Sequence, residues 1–279
     1  MIVTARQIRQ VLQQQYAAGE AAALSRIVCC EILGQAVVDY YVGKDITLSS
    51  KQAQELDVIM DRLLKFEPIQ YIQGYAPFLG RRFAVEPGVL IPRPETAELV
   101  EMMLGEVASD ARILDVGTGS GCIAVSLSCG LPEAAVTAWD ISDVALRVAA
   151  ANNEALGARV KVVRQDVFAA DAGREVGMYD VIVSNPPYIA EHEKAEMEPN
   201  VVEWEPALAL YVPDADPLRY YRRIAELGRD LLCSGGRLYF EINRAYGLEL
   251  KSMLEAEGYM NIRVLRDISG NDRFIIARK

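Results

Sequence analysis

A strand, three closely spaced glycines and a helix follow one another in residues 112–125, and this succession constrains the fold more than any other feature. Residues 113–116 are apolar apart from Asp115, and Gly117, Gly119 and Gly121 come directly after them. Glycines let the backbone pass close to a ligand, and the N–H groups at the start of a helix face whatever binds there. The pattern predicts a cofactor-binding strand, turn and helix within an α/β sheet.

The spacing of these glycines differs from that of nicotinamide and flavin sites. Those sites carry Gly-x-Gly-x-x-Gly, whose last position would fall here at Cys122. The next predicted strand, residues 135–140, ends in Asp140, an acid that can bind the two ribose hydroxyls of a nucleoside. An acid at that place fits either cofactor class, so Asp140 alone does not choose between them.

Acidic residues stand at the ends of three successive predicted strands, namely Asp115, Asp140 and Asp166. Taken singly, each is more typical of a loop or a helix cap than of a ligand-binding residue. In an open α/β sheet, however, ligands bind beyond the carboxyl ends of the strands. The series therefore favours one common site, in which Asp166 accepts the adenine amino group while Val167 and Phe168 wall the ring.

A rigid polar corner, Asn185-Pro186-Pro187-Tyr188, ends the predicted strand of residues 179–183. Each proline fixes its own φ and biases the preceding residue toward an extended conformation. The side-chain carbonyl of Asn185 and the backbone carbonyl of Pro186 can then accept both N–H groups of an amide or aromatic amine, whose delocalised lone pair makes it a poor nucleophile. Tyr188 would cover this flat acceptor group. The alternative is an ordinary strand that ends in a Pro-Pro turn.

Composition and charge restrict the possible partners. The chain has 279 residues, of which 51% are hydrophobic, and can bury a sizeable core in two unequal domains. No apolar run is long enough to span a bilayer and residues 1–15 lack the apolar core of a signal peptide, so we expect a cytoplasmic protein without membrane association. The net charge of −10 disfavours stable nucleic-acid binding. It suits a basic protein partner, or merely keeps the protein soluble.

Cysteine and histidine usage argues against several kinds of site. The five cysteines fit a reducing compartment and are expected to be thiols, with Cys122, Cys129 and Cys233 in apolar helical surroundings. With His192 as the single histidine, no Cys/His zinc cluster can be assembled and no Ser-His-Asp triad is convincing. We predict no metal site and interpret His192 as a solvated loop residue.

The order of predicted elements divides the chain into three segments. Residues 1–69 carry apolar residues at helical spacing and form a helical bundle, which either packs as a core or recognises the substrate. Residues 70–94 contain several glycines and prolines between short apolar runs and are predicted to form a hairpin linker. Residues 95–279 alternate strands with helices, which predicts a doubly wound sheet with helices on both faces.

Together these motifs resemble the protein N5-glutamine methyltransferases that modify peptide chain release factors. The resemblance rests on the glycine loop, the Asn-Pro-Pro-Tyr corner and residues 90–96 (Leu-Ile-Pro-Arg-Pro-Glu-Thr), and it extends to residues 68–74 and 267–273. It therefore covers nearly the whole chain. It implies the Rossmann-like sheet of the S-adenosylmethionine-dependent methyltransferases, with an antiparallel last strand and a small N-terminal all-helical domain.

The same resemblance implies S-adenosyl-L-methionine as methyl donor and the glutamine of the Gly-Gly-Gln loop of a release factor as acceptor. The predicted reaction is an in-line displacement at the sulfonium methyl. Carried over to this sequence, the catalytic residues are Asn185, Pro186 and Tyr188, and the substrate-binding residues are these three with Pro187. The predicted cofactor-binding residues are Gly117, Thr118, Gly119, Ser120, Gly121, Asp140, Ile141, Asp166, Val167 and Asn185.

The chain departs from the family pattern in two places. Ala97 stands where the family commonly has a second acid, and residues 205–214 lack the paired glycines often found there.

Two other functions fit the motifs of the chain. A nucleic-acid N6-adenine methyltransferase uses a similar corner to hold a flipped base, although the acidity of this chain counts against it. A non-catalytic adaptor would bind S-adenosylmethionine and never consume it.

Overall fold

Short helices and two very short strands make up the first 73 residues of the computed structural model, which describes residues 1–169, 172 and 178–279. In chain order these elements are β1 (Ile2–Val3), α1 (Ala5–Leu12), α2 (Ala18–Ile27), a π-helical turn (Val28–Ile32), α3 (Val37–Tyr41), β2 (Ile46–Thr47), α4 (Ser50–Leu63) and α5 (Ile69–Gln73). β1 and β2 pair antiparallel, which the helical pattern of this segment did not predict.

Strands and helices alternate through the rest of the chain. The elements are β3 (Tyr75–Phe78), β4 (Arg81–Ala84), α6 (Pro94–Glu106), β5 (Arg112–Val116), α7 (Cys122–Gly130), β6 (Ala135–Asp140), α8 (Asp143–Ala155), β7 (Val160–Arg164), β8 (Tyr179–Ser184), β9 (Ile189–Ala190), a 3-10 turn (Glu191–Glu196), α9 (Pro199–Val202), α10 (Ala207–Leu210), β10 (Tyr211–Val212), α11 (Arg219–Leu231), β11 (Leu232–Glu241), α12 (Gly247–Ala256), β12 (Met260–Arg266) and β13 (Asp272–Arg278).

The chain divides into two units. The smaller unit comprises Met1–Gly74 and Glu198–Trp204, and the larger unit comprises Tyr75–Met197 and Glu205–Lys279. In the smaller unit, α4 begins with a capping box, because the Ser49 hydroxyl accepts from Gln52 N at 3.2 Å while the Gln52 side chain accepts from Ser49 N at 3.1 Å. Apolar side chains of its helices, among them Leu12 and Leu63, form a separate core.

A seven-stranded mixed sheet with the order β12-β13-β11-β8-β5-β6-β7 forms the centre of the larger unit. β7, β6, β5, β8 and β11 run parallel, whereas β13 is antiparallel to both of its neighbours. The chain moves outward from β5 to β7 and then returns to the other side of β5, so the winding direction switches between β5 and β8. These pairings confirm the doubly wound sheet and the antiparallel last strand.

Alternate residues of the sheet face two apolar clusters. Ile113 of β5 belongs to the cluster that contains residues of α6 and α7, and Leu114 belongs to the cluster that contains residues of α11 and α12. The neighbouring strand β8 alternates in the same way through Val181 and Ile182. Each fully buried side chain of this size contributes about 1.5–3 kcal/mol relative to exposure. Helices therefore cover both faces, as expected for a parallel sheet.

One prediction about a single residue was wrong, and one strand of the sheet was not predicted. Cys233 lies in β11 and not in helical surroundings, and its thiol is 3.1 Å from Asp180 Oδ1. The exposure of His192 confirms that it is solvated; it lies in the 3-10 turn and pairs with Asp214 at 2.8 Å. β12 was not predicted, because few of its side chains are buried and its apolar pattern is weak. All five cysteines are free thiols.

The described residues contain no helix with both the length and the apolar character needed to span a membrane.

Gly121 fixes how closely α7 approaches α8, and its replacement tests this contact. Gly121 has φ 80°, and an added Cβ would lie 3.2 Å from Ala149 Cβ. Gly157 has φ 65° and open space around it. Because an L-residue in the left-handed region costs about 1–2 kcal/mol, Gly157→Ala is expected to lower the melting temperature by a few degrees. Gly121→Ala should lower it further, and equal melting temperatures would contradict a packing role.

Candidate active site

A cavity of about 320 Å³ opens at the carboxyl ends of the parallel strands in the larger unit. It brings together most of the residues that the sequence predicted for the cofactor and the acceptor. Those on its wall are Gly117, Thr118, Gly119, Ser120, Asp140, Ile141, Asp166, Val167, Asn185, Pro186 and Pro187. Gly121 and Tyr188 do not line it and lie behind the wall, where they make packing contacts.

Backbone hydrogen bonds tie the glycine loop to the end of β6. The N–H groups of Gly117 and Thr118 both donate to Trp139 O at 2.9 Å. Gly119 N donates to Asp140 Oδ2, also at 2.9 Å. Gly117 has φ 74° and Gly119 has φ 56°, conformations that residues with a Cβ rarely adopt. Glycines are therefore required for the loop to fold back against this strand end.

A second clasp holds the loop from the side of α8. Asn152 is buried in α8, and its Nδ2 donates to Ser120 O at 2.8 Å and to Ala84 O at 3.0 Å. Its Oδ1 accepts from Ala84 N at 2.7 Å. One amide thus joins the end of the β3–β4 hairpin to the glycine loop, which gives Asn152 a role that the sequence did not indicate.

Asp140 holds the backbone around it and still presents its carboxylate to the cavity. Its Oδ1 accepts from Ser142 N and its Oδ2 from Gly119 N, both at 2.9 Å. Burial raises the pKa of Asp140 above its ordinary value, although backbone hydrogen bonds from Ser142, Gly119 and Ile141 oppose this rise. A carboxylate has about four lone-pair sites, so these backbone donors do not exhaust its capacity to accept from ligand hydroxyls.

Asp115 is a buried acid beneath the loop. Its Oδ2 accepts from the Thr118 hydroxyl at 2.6 Å and from Ala124 N at 3.3 Å. Its Oδ1 has no hydrogen-bond partner within the part of the chain that the structure describes. Burial raises the pKa of Asp115 to about 7, with a further contribution from the charge of Asp140 and opposition from the two hydrogen bonds.

The end of β7 forms an aromatic and apolar side of the cavity. Asp166 Oδ1 accepts from Phe168 N at 2.8 Å, which closes a tight turn. The half-exposed Phe168 ring stacks edge to face on Tyr220 at 5.1 Å, with the Arg219 guanidinium 4.8 Å from its centroid. Arg223 Nε donates to Val167 O at 2.8 Å and so fixes the backbone between Asp166 and Phe168.

The Asn-Pro-Pro-Tyr corner is held by a chain of side-chain hydrogen bonds. Asn185 Nδ2 donates to Thr96 Oγ1 at 3.2 Å, and Thr96 Oγ1 donates to Glu241 Oε2 at 2.6 Å. The Tyr188 hydroxyl lies 3.4 Å from Glu241 Oε1, and burial together with the Glu241 charge raises the pKa of Tyr188. Asn243 Nδ2 donates to Tyr188 O at 3.2 Å.

Sequence reasoning missed Thr96 and Glu241, which are 145 residues apart. Thr96 ends the segment of residues 90–96, but nothing in that segment indicates its partner. Glu241 is the only charged residue at the buried end of β11, whose preceding three residues are fully buried and carry large hydrophobic or aromatic side chains. An acid at the carboxyl end of a buried strand was the signal that would have found it.

The two departures from the family pattern lie at different places. Ala97 packs, partly buried, against the apolar cluster of α6 and α7, and is not on the cavity wall. Glu205, at the start of the second departure, is buried and binds Arg93 at 2.6 Å and Ile91 N at 3.2 Å. The cavity-lining Arg93 is thereby anchored by the segment that lacks the paired glycines.

The walls suit a cofactor that carries a nucleoside. Asp140 offers acceptors for a diol, the glycine loop offers close backbone approach, and Val167 and Phe168 offer apolar contact for a flat ring. Within the described residues, no three His, Cys, Asp or Glu side chains are placed so that they could hold a metal ion. Beside the Asn-Pro-Pro corner, the cavity wall also carries Thr96 and Ser184.

Two family models match the chain. One, described as "PrmC N-terminal domain", matches residues 5–74, and the other, described as "Methyltransferase small domain", matches residues 94–203. The chain is 58% identical over 272 residues to the release factor glutamine methyltransferase of Bacteroides thetaiotaomicron, covering 98% of each protein. It is 43% identical over 244 residues to the protein of the same name from Flavobacterium psychrophilum, covering 85% of each.

Solved structures of methyltransferases share the fold at low sequence identity. A methyltransferase of Pyrococcus furiosus aligns with a TM-score of 0.54 at 17% identity, covering 83% of this chain and 99% of the other. A 16S rRNA methyltransferase of T. thermophilus, solved with AdoMet and guanosine, aligns with a TM-score of 0.54 at 18% identity, covering 74% of this chain and 49% of the other.

The buried acid Asp115 is expected to make stability fall as pH rises. Its pKa is about 7 in the folded chain and about 3.9 when unfolded. Between these values the folded state binds the extra proton, so the contribution is present below the lower pKa and lost as pH rises through the upper one. The full difference amounts to about 4 kcal/mol.

Asp115→Asn imitates the protonated acid and removes this titration. From about pH 4 to pH 7, the wild-type melting temperature should therefore fall relative to that of the variant. Parallel melting curves for the two proteins across this range would show that Asp115 does not titrate with a raised pKa.

Proposed function

Because the chain belongs to the release factor glutamine methyltransferase family, we propose that it transfers the methyl group of S-adenosyl-L-methionine to the side-chain amide nitrogen of the Gly-Gly-Gln glutamine of peptide chain release factors. The observation that carries this proposal is the rigid Asn185-Pro186 corner, which shares a cavity wall with the glycine loop. The corner offers two acceptors for one planar NH2 group, and the loop offers a nucleoside site beside it.

The cofactor would be held by the end of β6, the glycine loop and the end of β7. Asp140 would accept hydrogen bonds from the ribose hydroxyls. Backbone groups of residues 117–120 would lie along the amino-acid part of the cofactor, and Asp166 and Val167 would contact the adenine ring. Bound S-adenosylmethionine supplies an electrophilic methyl group on a sulfonium. Gly121 would act indirectly, because it sets the spacing between α7 and α8 behind the loop.

The acceptor glutamine would be held by the corner itself. Asn185 Oδ1 accepts no hydrogen bond among the described residues, since the contact of this side chain is made by its Nδ2. Asn185 Oδ1 and Pro186 O would accept hydrogen bonds from the two N–H groups of the glutamine amide. These bonds would hold the nitrogen toward the cofactor and increase the electron density on it. The methyl transfer needs no general base, because the methylated nitrogen can afterwards lose its extra proton to Asn185 Oδ1, to Pro186 O or to water.

Partner selection would rest on charge and on the N-terminal unit. The net charge of −10 favours a basic protein over a nucleic acid. A release factor has to approach ribosomal RNA, so a positively charged partner surface fits this balance. We assign substrate recognition to the predicted helical domain of residues 1–69, and we place the reaction in the cytoplasm, where translation occurs.

Mass spectrometry of two candidate acceptors tests the proposal directly. A release factor and a duplex DNA are each incubated with the protein and labelled S-adenosylmethionine. We expect one methyl group on the Gly-Gly-Gln glutamine and none on the DNA. Methyl on adenine would instead identify a nucleic-acid methyltransferase, and cofactor binding without transfer to either acceptor would favour the non-catalytic adaptor.

Asn185→Ala is expected to abolish methyl transfer while the fold is retained. The variant loses the oxygen that holds the acceptor nitrogen, so turnover should fall by at least about a hundredfold, measured as methyl incorporation into the release factor. Asn153→Ala is the matched control, because Asn153 bonds to Val160 outside the cavity. Near-normal turnover of Asn185→Ala would refute the acceptor site.

Asp140→Asn is expected to weaken S-adenosylmethionine binding by about ten- to a hundredfold, because a neutral amide replaces a charged acceptor for the ribose hydroxyls. Isothermal titration calorimetry measures the affinity. Asp143→Asn is the control, since Asp143 lies three residues further along, is exposed and pairs with Arg164 at 2.9 Å. Equal losses in both variants would point to a general charge effect and away from a ribose contact.

A further inference from the structure

We propose that the Thr96–Glu241 pair fixes the direction of the Asn185 side-chain amide, so that its oxygen and not its NH2 group faces the acceptor nitrogen. This inference rests on the proposed function and adds two positioning residues to it. Neither Thr96 nor Glu241 was among the predicted site residues. Thr96 lines the cavity beside the corner, whereas Glu241 is absent from the cavity wall.

The direction of the amide follows from counting donors along the chain of hydrogen bonds. An ionised carboxylate only accepts, so the single hydroxyl proton of Thr96 goes to Glu241 Oε2 at 2.6 Å. Thr96 Oγ1 is then left as an acceptor and takes a hydrogen from Asn185 Nδ2 at 3.2 Å. The NH2 group of Asn185 is thereby committed inward, and its Oδ1 is turned outward to the acceptor site.

The reverse direction would disable the corner. The NH2 group of Asn185 would then face the NH2 group of the glutamine, two donors with no acceptor between them. Only Pro186 O would remain to accept a hydrogen bond from the glutamine, instead of two oxygens. A free asparagine side chain exchanges between the two directions by a half-turn, which changes the shape of the site very little. Shape therefore cannot select the productive direction, whereas a fixed hydrogen-bond partner can.

Glu241 is well placed to act as the fixed end of this chain. It is 1% exposed at the end of β11 and also receives the Tyr188 hydroxyl at 3.4 Å on its other oxygen. The nearby Arg273 is held by a 3.2 Å ion pair with Asp267, so its charge stays beside the carboxylate. The titratable and charged groups that face Glu241 are Glu95 from α6, Cys122 from α7, Tyr188 from the corner, Tyr221 from α11 and Arg273 from β13.

Protonation of Glu241 would release the constraint. Burial raises the pKa of Glu241 to about 7, against the hydrogen bond from Thr96 and the charge of Arg273. A protonated Glu241 can donate to Thr96, whose own proton is then free to point at Asn185 and favour the reversed amide. Turnover at saturating substrates is therefore expected to rise with pH through about 7.

Three variants test the hydroxyl separately from the methyl group of Thr96. Thr96→Ser keeps the hydroxyl and loses the methyl, Thr96→Val keeps the shape and loses the hydroxyl, and Thr96→Ala serves if the valine variant does not fold. We expect Thr96→Ser to keep kcat within about threefold and Thr96→Val to lower it by about ten- to a hundredfold. The KM for the release factor and the affinity for S-adenosylmethionine should change little.

Glu241→Gln tests the hydrogen-bond acceptor at the inner end of the Asn185–Thr96–Glu241 series of hydrogen bonds. Its neutral amide both donates and accepts, so kcat should fall and its rise between pH 6 and pH 8 should disappear. Glu257→Gln is the control, because Glu257 pairs with Arg229 at 3.5 Å, lies outside the cavity wall and has no place in the hydrogen-bond chain. A rise of kcat with pH that is retained in Glu241→Gln would overturn the inference.

A spectroscopic measurement separates this inference from the proposed function. In protein labelled with 15N-asparagine, the Asn185 side-chain signal is identified by its loss in Asn185→Ala. We expect it to shift with pH in the wild type and in Thr96→Ser, and to stay constant in Thr96→Val and Glu241→Gln.

Each outcome bears on one of the two proposals. Wild-type protein that methylates no release factor would overturn the proposed function, and the Asn185 signal would still decide the inference. Equal kcat values for Thr96→Val and Thr96→Ser would overturn the inference while the proposed function stands. An Asn185 signal that shifts with pH in Glu241→Gln as it does in the wild type would do the same. The opposite results on both measurements would establish it.

Discussion

The pairing of β5 with β8 is the contact on which the site depends. Their parallel register sets Val116 opposite Ser184, and the Ser184 hydroxyl donates to Val116 O at 2.6 Å. Because the next residues are Gly117 and Asn185, this register places the glycine loop and the polar corner side by side. A slip of one residue would turn the side chains of β8 to opposite faces and move the corner away from the loop. The winding switch between these two strands leaves the crevice open above them.

Buried acids at the same edge couple stability to function. Asp115 and Glu241 are both nearly inaccessible, and burial brings the pKa of each to about 7. A core filled with neutral side chains would avoid the cost of their charge. The acids remain useful because they are acceptors fixed in place before any ligand arrives, Asp115 under the loop and Glu241 behind the corner. Such preorganised groups need no rearrangement when the ligand binds.

The sequence predicted those parts of the fold and site that depend on neighbours in the chain. Glycines in a turn and prolines at a strand end act through local backbone conformation, so the loop at Gly117 and the corner at Asn185 were recognisable. Thr96 and Glu241 depend on a contact across 145 residues, which no local pattern encodes. β12 was missed for a related reason: it is held mainly by pairing with β13, and few of its side chains are buried.

The corner alone does not distinguish a glutamine amide from an adenine amino group. Both present a planar NH2 group with a delocalised lone pair, and the same two oxygens can hold either one. The fold does not distinguish a protein acceptor from a nucleic-acid acceptor either, since a 16S rRNA methyltransferase shares it at 18% identity. Selection then falls to the surface that meets the rest of the acceptor molecule. Under the proposed function, the excess of 39 acidic over 29 basic residues would favour a basic protein over a phosphate backbone, so charge would contribute to the choice of acceptor.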